Sequence, residues 1–286
     1  MGAWSFWRGS NMGTAEIIRT IIEEFPLALY GSMLVGSLCA FLGVYIVAKR
    51  VVFLGAVMTQ VSVMGLALTF LPIFAVPHTL GSLVVTLVTV IIISRMLTGR
   101  KVPRDAVLGI VFVTSVALRI LVMQKAAKVE VSEIENLLRG DILFVTPGLF
   151  LLMAGAFVAA SVAHLLFFKE FTYISFDAET ARTQGFNAAG WEIAFYVIAG
   201  VVISFATHMV GDIFVFGFLV VPPVAAMLLV RRVSAIFIVS VLIGLLSPPV
   251  GLYCAFLFDL PSSPAIVGVA SVILAAAWIA SLVRKR

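Results

Sequence analysis

The chain has 286 residues, of which 62% are apolar and 12% charged, and its mean hydropathy is +1.19. Soluble domains sit at roughly 45–50% apolar and about 25% charged, so this composition excludes a water-soluble globular fold and makes lipid the solvent for most of the molecule. The formal charge of +5 points to the membrane surface rather than to nucleic acid, because the basic residues gather at the ends of apolar blocks.

A spanning helix takes roughly 20 apolar residues, which leaves room for about eight to ten spans and no sizeable soluble domain. Lipid offers the backbone no hydrogen-bond partner, so spans are helices or the strands of a closed barrel. The apolar blocks here are continuous and lack the two-residue alternation of barrel strands. The expected fold is an all-α membrane protein. It has an N-terminal interfacial segment over 1–26 and a single transmembrane domain over 27–286.

In chain order, residues 14–25 place Ile17, Ile18, Ile21, Ile22 and Phe25 on one helical face and Glu16, Arg19, Glu23 and Glu24 mainly on the other. This predicts an amphipathic helix in the headgroup zone, where Trp4 and Trp7 also belong. No cleavable signal peptide is expected, since Arg8, Arg19 and three glutamates precede the first long apolar run near Leu27. Nine spans follow, at 27–47, 51–71, 78–96, 105–123, 147–168, 190–209, 212–230, 233–257 and 265–283. Only Val210 and Gly211 join the sixth to the seventh, which predicts a tight hairpin or one broken helix. Cys39 and Cys254 both fall inside apolar blocks and are read as packing residues.

One set of ends carries most of the 19 Lys and Arg residues, among them Lys49, Arg50, Arg95, Arg104, Lys169, Arg231 and Arg232. The other has Arg8, Arg19, Arg119, Lys125, Lys128 and Arg139. The richer side is expected to be cytoplasmic, with the N-terminus outside and the C-terminus inside. An acidic outer loop, 124–146, holds Glu130, Glu133, Glu135 and Asp141, suited to attracting cations or docking a basic surface. A polar inner loop, 169–189, holds Asp177, Glu179 and Arg182, with Ser175 or Asp177 placed to cap a short helix ending near Gly185. No phosphate-binding GxxxxGK[ST] sequence occurs, so ATP would be bound by another chain.

Several segments in order resemble the integral-membrane permeases of ABC importers for zinc and manganese, over about residues 27–267. They are LGVYIVAKRVVFLGAV at the first two spans, LLRGDILFVT before the fifth, FDAETARTQGFN in the inner loop, VGDIFVFGFLVVPPVAAMLL in the seventh, and GLYCAFLFDLPSSPAIV near the ninth. The resemblance implies a type II importer fold in a bacterial inner membrane, working by alternating access. It implies pairing with a second copy, two ATPase subunits beneath, and a solute-binding protein delivering metal from outside. ATP would be held by the ATPase, zinc or manganese would be the cargo, and this chain would carry no cofactor and no catalytic site. By the same resemblance FDAETARTQG is a coupling helix, with Asp177, Glu179, Arg182 and Gly185 its carried-over positions. The second span departs from the family pattern. It reads Gly55-Ala56, Thr59-Gln60-Val61 and Met64-Gly65 where an aspartate, a histidine and a proline are usual.

Within the spans, ionisable groups are costly and therefore point to function. His208 and Asp212, four apart at the sixth–seventh junction, are candidate zinc or manganese ligands. The alternative is that they sit in water at the outer mouth or pair only with each other. Thr59, Gln60 and Ser62 form a polar patch that either lines a pathway or bonds to another helix. Pro222 and Pro223 interrupt the seventh span, and the carbonyls they release either line a pathway or mark a static kink. His164 is expected to bond a neighbouring helix, and His78 to be solvated. Two rivals remain: the same fold with a different cargo (another metal, a metal chelate or a small organic ligand), or a self-contained channel or carrier. An intramembrane enzyme would need a clustered pair of aspartates or a zinc site, which the sequence lacks.

Overall fold

Backbone groups in an apolar solvent must bond within their own segment, and the chain meets that demand with helices. The computed structural model describes residues 13–71, 77–98, 102–125, 142–176 and 187–284. In order these form α1 (Thr14–Glu23), α2 (Pro26–Ala48), α3 (Phe53–Thr69), α4 (His78–Thr98), α5 (Arg104–Met123), a 3-10 turn (Ile142–Phe144), α6 (Pro147–Leu166), α7 (Phe168–Phe176), α8 (Ala188–Val210), α9 (Asp212–Leu229), α10 (Val233–Phe258) and α11 (Ser262–Arg284). Pro26 and Pro147 stand at helix starts, where a missing N–H costs nothing. The side chains of Thr146 and Asn187 accept from the N–H groups of Leu149 and Gly190, capping α6 and α8.

Among the described residues, eight helices are long and apolar enough to cross a membrane. The second expected span, α3, is 17 residues long; at 1.5 Å per residue it reaches roughly 26 Å, a little short of the hydrocarbon core. The bundle is built around α2, which packs on α9, α10 and α6, and near its C-terminal end on α7. Val84 on α4, Val113 on α5, Leu151 on α6 and Val272 on α11 face outward, as lipid-facing side chains do. The amphipathic α1 buries Ile17 and Ile21 against the bundle, while Ile18 and Ile22 stay exposed.

The two proline pairs explain why α2 can be so close to its neighbours. Proline has no N–H, so Pro223 leaves the carbonyl of Leu219 without its helical donor, and Pro248 does the same to Gly244. Both released oxygens lie against glycines of α2. A Cβ added to Gly43 would strike the Leu219 oxygen, and one added to Gly36 the Gly244 oxygen. Gly36 and Gly43 are seven residues apart, two turns along one face. Ser240 Oγ on α10 adds a hydrogen bond to Ala40 O on α2 at 2.9 Å.

Three sequence expectations are corrected. The fifth span stops at Leu166, and residues 168–176, with 169–176 expected as the start of a polar loop, form α7 with Phe171 and Ile174 buried. Ser175, expected as a cap, lies inside α7 and is buried; the apolar neighbours of this segment outweigh its polar residues. His164 bonds its own helix, Nδ1 to Ala160 O at 2.8 Å, rather than a neighbouring one, and stacks on Phe171.

A polar junction between α3, α5, α8 and α9

The junction of α8 and α9 is a break, not a continuous helix. Gly211 adopts φ +84°, a conformation that side chains rarely take. His208 therefore stands in the last turn of α8 and Asp212 at the first residue of α9, where the positive end of the helix dipole favours a carboxylate. Ser263 Oγ donates to Val210 O at 2.9 Å and holds the break from α11.

A line of polar contacts crosses three helices here. Gln60 Nε2 donates to Asp212 Oδ2 at 2.8 Å, and Arg119 Nη1 donates to Gln60 Oε1 at 3.0 Å. The amide orientation is dictated by chemistry, since a guanidinium only donates and a carboxylate only accepts. Gln60 thus links a cation on α5 to an anion on α9. Two residues further along α3, Ser62 bonds Ser82 of α4 at 2.9 Å and Ser204 of α8 at 3.4 Å. The polar strip of α3 touches both sides of the Gly211 break. Thr59, by contrast, bonds back to Ala56 O within its own helix.

His208 Nδ1 lies 2.7 Å from Ser204 O. A carbonyl cannot donate, so Nδ1 carries the proton and Nε2 presents its lone pair, the tautomer that ligates metals. Nε2 is buried and has no partner. Asp212 Oδ1 is likewise buried without a hydrogen bond, and Arg119 Nε is buried and unpaired. Unpaired buried polar atoms are expensive and rare; two of these three belong to the Arg119–Gln60–Asp212 line, and the third stands in the last turn of α8. Among the described residues, no group of three or more His, Cys, Asp or Glu side chains forms a ready-made metal cage.

Pro222 and Pro223 are buried in α9, with Pro223 against Gly43 of α2. His78 is exposed, bonded to Thr69 Oγ1 at 2.7 Å, with its ring tilted against that of Phe70. Asp177, Glu179, Arg182 and Gly185 lie outside the described residues, as do Glu130, Glu133, Glu135, Arg139 and Asp141. Flanking residues 177–186 is a second polar point that sequence reasoning missed. Lys49, just past α2, has its side chain only 5% exposed; Nζ lies 3.5 Å from Ile174 O on α7 and 4.0 Å from Glu192 on α8, over the rings of Phe195 and Tyr196. Burial pushes the Lys49 ammonium down from its ordinary value to about 8; Glu192 pulls it back up and Arg104 pushes it further down.

Arg119 was missed as a site residue too, having been counted with the charges of the outer ends. The signal was available, as an arginine in the apolar run ALRILVM is a cation inside a span.

The description of the ABC 3 transport family matches residues 22–281. The chain belongs to the ABC 3 transport family. Several of its relatives are named as membrane proteins of metal transport systems. A probable iron transport system membrane protein of Haemophilus influenzae is 27% identical, with 89% of each chain covered. The manganese transport system membrane protein MntD of Bacillus subtilis is 28% identical, covering 87% of this chain and 89% of the relative. Among solved structures, PsaBC from Streptococcus pneumoniae in complex with Fab superposes with a TM-score of 0.82 at 22% identity, covering 93% of this chain and 95% of the other. The fold is that of an ABC importer permease, and the chain is a multi-pass membrane protein of the ABC 3 transport family.

Proposed function

We propose that this chain is the membrane-spanning subunit of an ATP-driven importer of divalent metal ions, zinc or manganese, and that His208 and Asp212 make the transient contact with the ion. The observation that carries this reading is the pair of buried acceptors at the α8–α9 break, His208 Nε2 and Asp212 Oδ1, each without a partner. Imidazole nitrogen and carboxylate oxygen suit both metals. Two ligands hold an ion loosely, and a passing cargo must be able to leave. Relatives named for iron and manganese agree with a first-row metal as cargo.

ATP is bound by separate ATPase subunits, which act through residues 170–186, with Asp177, Glu179, Arg182 and Gly185 at the contact. A solute-binding protein delivers the ion, and a second copy of the chain completes the pathway. Thr59, Gln60, Pro222 and Pro223 belong to the spans that rearrange between outward- and inward-open states. The basic ends lie in the cytoplasm of a bacterial cell, with the N-terminus outside, the orientation that an excess of Lys and Arg favours.

The test is ATP-dependent uptake of radioactive zinc and manganese by proteoliposomes holding the permease, its ATPase and its binding protein. His208→Ala and Asp212→Asn are each expected to reduce uptake at least tenfold while leaving the assembled complex intact. Unchanged uptake in both variants refutes the assignment of these ligands. A second reading, import of an anionic metal chelate, is favoured by Arg119, since a guanidinium attracts carboxylates and repels a bare dication. Uptake of metal citrate but not of the free ion would select it.

A further inference from the structure

Arg119 is the feature that a simple metal pathway does not use. It is a permanent cation inside a span, and it approaches Asp212 only through the Gln60 amide. A metal site built on Asp212 needs that carboxylate free of other cations, yet here one stands a single side chain away. The charges of the junction sum to zero, because Asp212 carries one negative charge, Arg119 one positive charge, and the His208 tautomer none. An unpaired carboxylate in a bundle would be costly and would also draw in protons or stray cations.

We propose that Arg119 is a tethered counter-ion, which neutralises Asp212 through Gln60 while the pathway is empty and gives up the carboxylate when a divalent ion arrives. The proposal rests on the metal-import reading above. The incoming ion takes Asp212 and the lone pair of His208 Nε2, and its double charge repels the guanidinium. Arg119 has somewhere to go, as it lies one turn from the end of α5 at Met123 and its long stem lets the charge reach water beyond that end. Gln60 keeps the two charges close without letting them touch. A directly bonded Arg–Asp pair would be bidentate and hard to open, whereas an amide relay opens by breaking a single bond on either side. This gives a reason for an amide at position 60: a second acidic ligand there would hold the metal more tightly and bind the guanidinium as a direct ion pair.

The experiment measures zinc and manganese affinity of the purified full-length chain in nanodiscs by equilibrium dialysis. It uses the wild type, Arg119→Gln, Arg119→Lys and the double variant Arg119→Gln/Asp212→Asn, with folding checked by size-exclusion profile. Removing the counter-ion is expected to tighten metal binding at least tenfold in Arg119→Gln. Arg119→Lys should stay near the wild type, and the gain should vanish in the double variant. Equal or weaker binding by Arg119→Gln, with wild-type uptake of metal intact, overturns the counter-ion and leaves the import reading standing. Absence of metal uptake by the wild-type complex and of metal binding by every variant overturns both.

Discussion

Replacing Gly43 by alanine tests the packing on which the bundle depends. The new methyl carbon would collide with the carbonyl oxygen of Leu219 and lie 2.7 Å from Pro223 Cγ. A carbon and a carbonyl oxygen rest at roughly 3.3–3.6 Å, so α2 and α9 must separate by on the order of an ångström. Neither obstacle can rotate aside, since one is backbone and the other a proline ring. Overpacking a core costs typically about 1–3 kcal/mol, and the upper half of that range applies when backbone must move. Alanine is the better helix former by about 1 kcal/mol, which offsets part of the cost. A net loss of about 1–2 kcal/mol remains, a factor of roughly 5–30 in the folded population. Thermal unfolding of the purified chain in detergent, followed by intrinsic fluorescence, reads this as a midpoint several degrees lower. Gly155→Ala is the control, because its added carbon meets nothing within 4 Å, and its midpoint should hold or rise. A Gly43→Ala midpoint equal to that of wild type would refute the close approach of α2 to the oxygen released by Pro223.

Gln60→Leu leaves Asp212 Oδ2 and Arg119 Nη1 without the amide that joins them. Each bond involves a charged group worth about 1.5–3 kcal/mol, so the midpoint should fall more than in the double variant Gln60→Glu/Asp212→Asn, whose new carboxylate accepts from both Arg119 and the new amide; the reverse order would contradict the relay. Lys49 gives a pH signature. Between about pH 8 and the ordinary lysine value the folded chain has lost a proton that the unfolded chain still holds, so stability rises with pH in that window. Lys49→Met should abolish that rise, and a matching slope in the variant would assign it elsewhere. At neutral pH Lys49→Met leaves the largely buried Glu192 without its cation, with the Tyr196 hydroxyl still donating to it, and should lower the midpoint. The double variant Lys49→Met/Glu192→Gln should recover most of the loss, and failure to recover would show that the two do not interact.

Hydropathy alone was enough to establish an all-helical membrane protein and the approximate positions of nine helices, because in lipid a backbone has almost no other way to satisfy its N–H and C=O groups. The break at Gly211 was legible as well, since its neighbours left almost no residues for a loop. His208, Asp212 and Gln60 stood out because polar groups are rare in such runs. Their connection was not legible. Gln60 and Asp212 are 152 positions apart, and no local pattern says which face of α3 meets the start of α9 or that Arg119 on α5 reaches the same amide. Nor could the sequence show that carbonyls released by Pro223 and Pro248 land on Gly43 and Gly36, or that residues 168–176 bury an aromatic face as α7. These are consequences of how helices pack, and packing is decided by fitting many side chains at once, while the hydrophobic pattern that writes each helix depends only on its own stretch of chain.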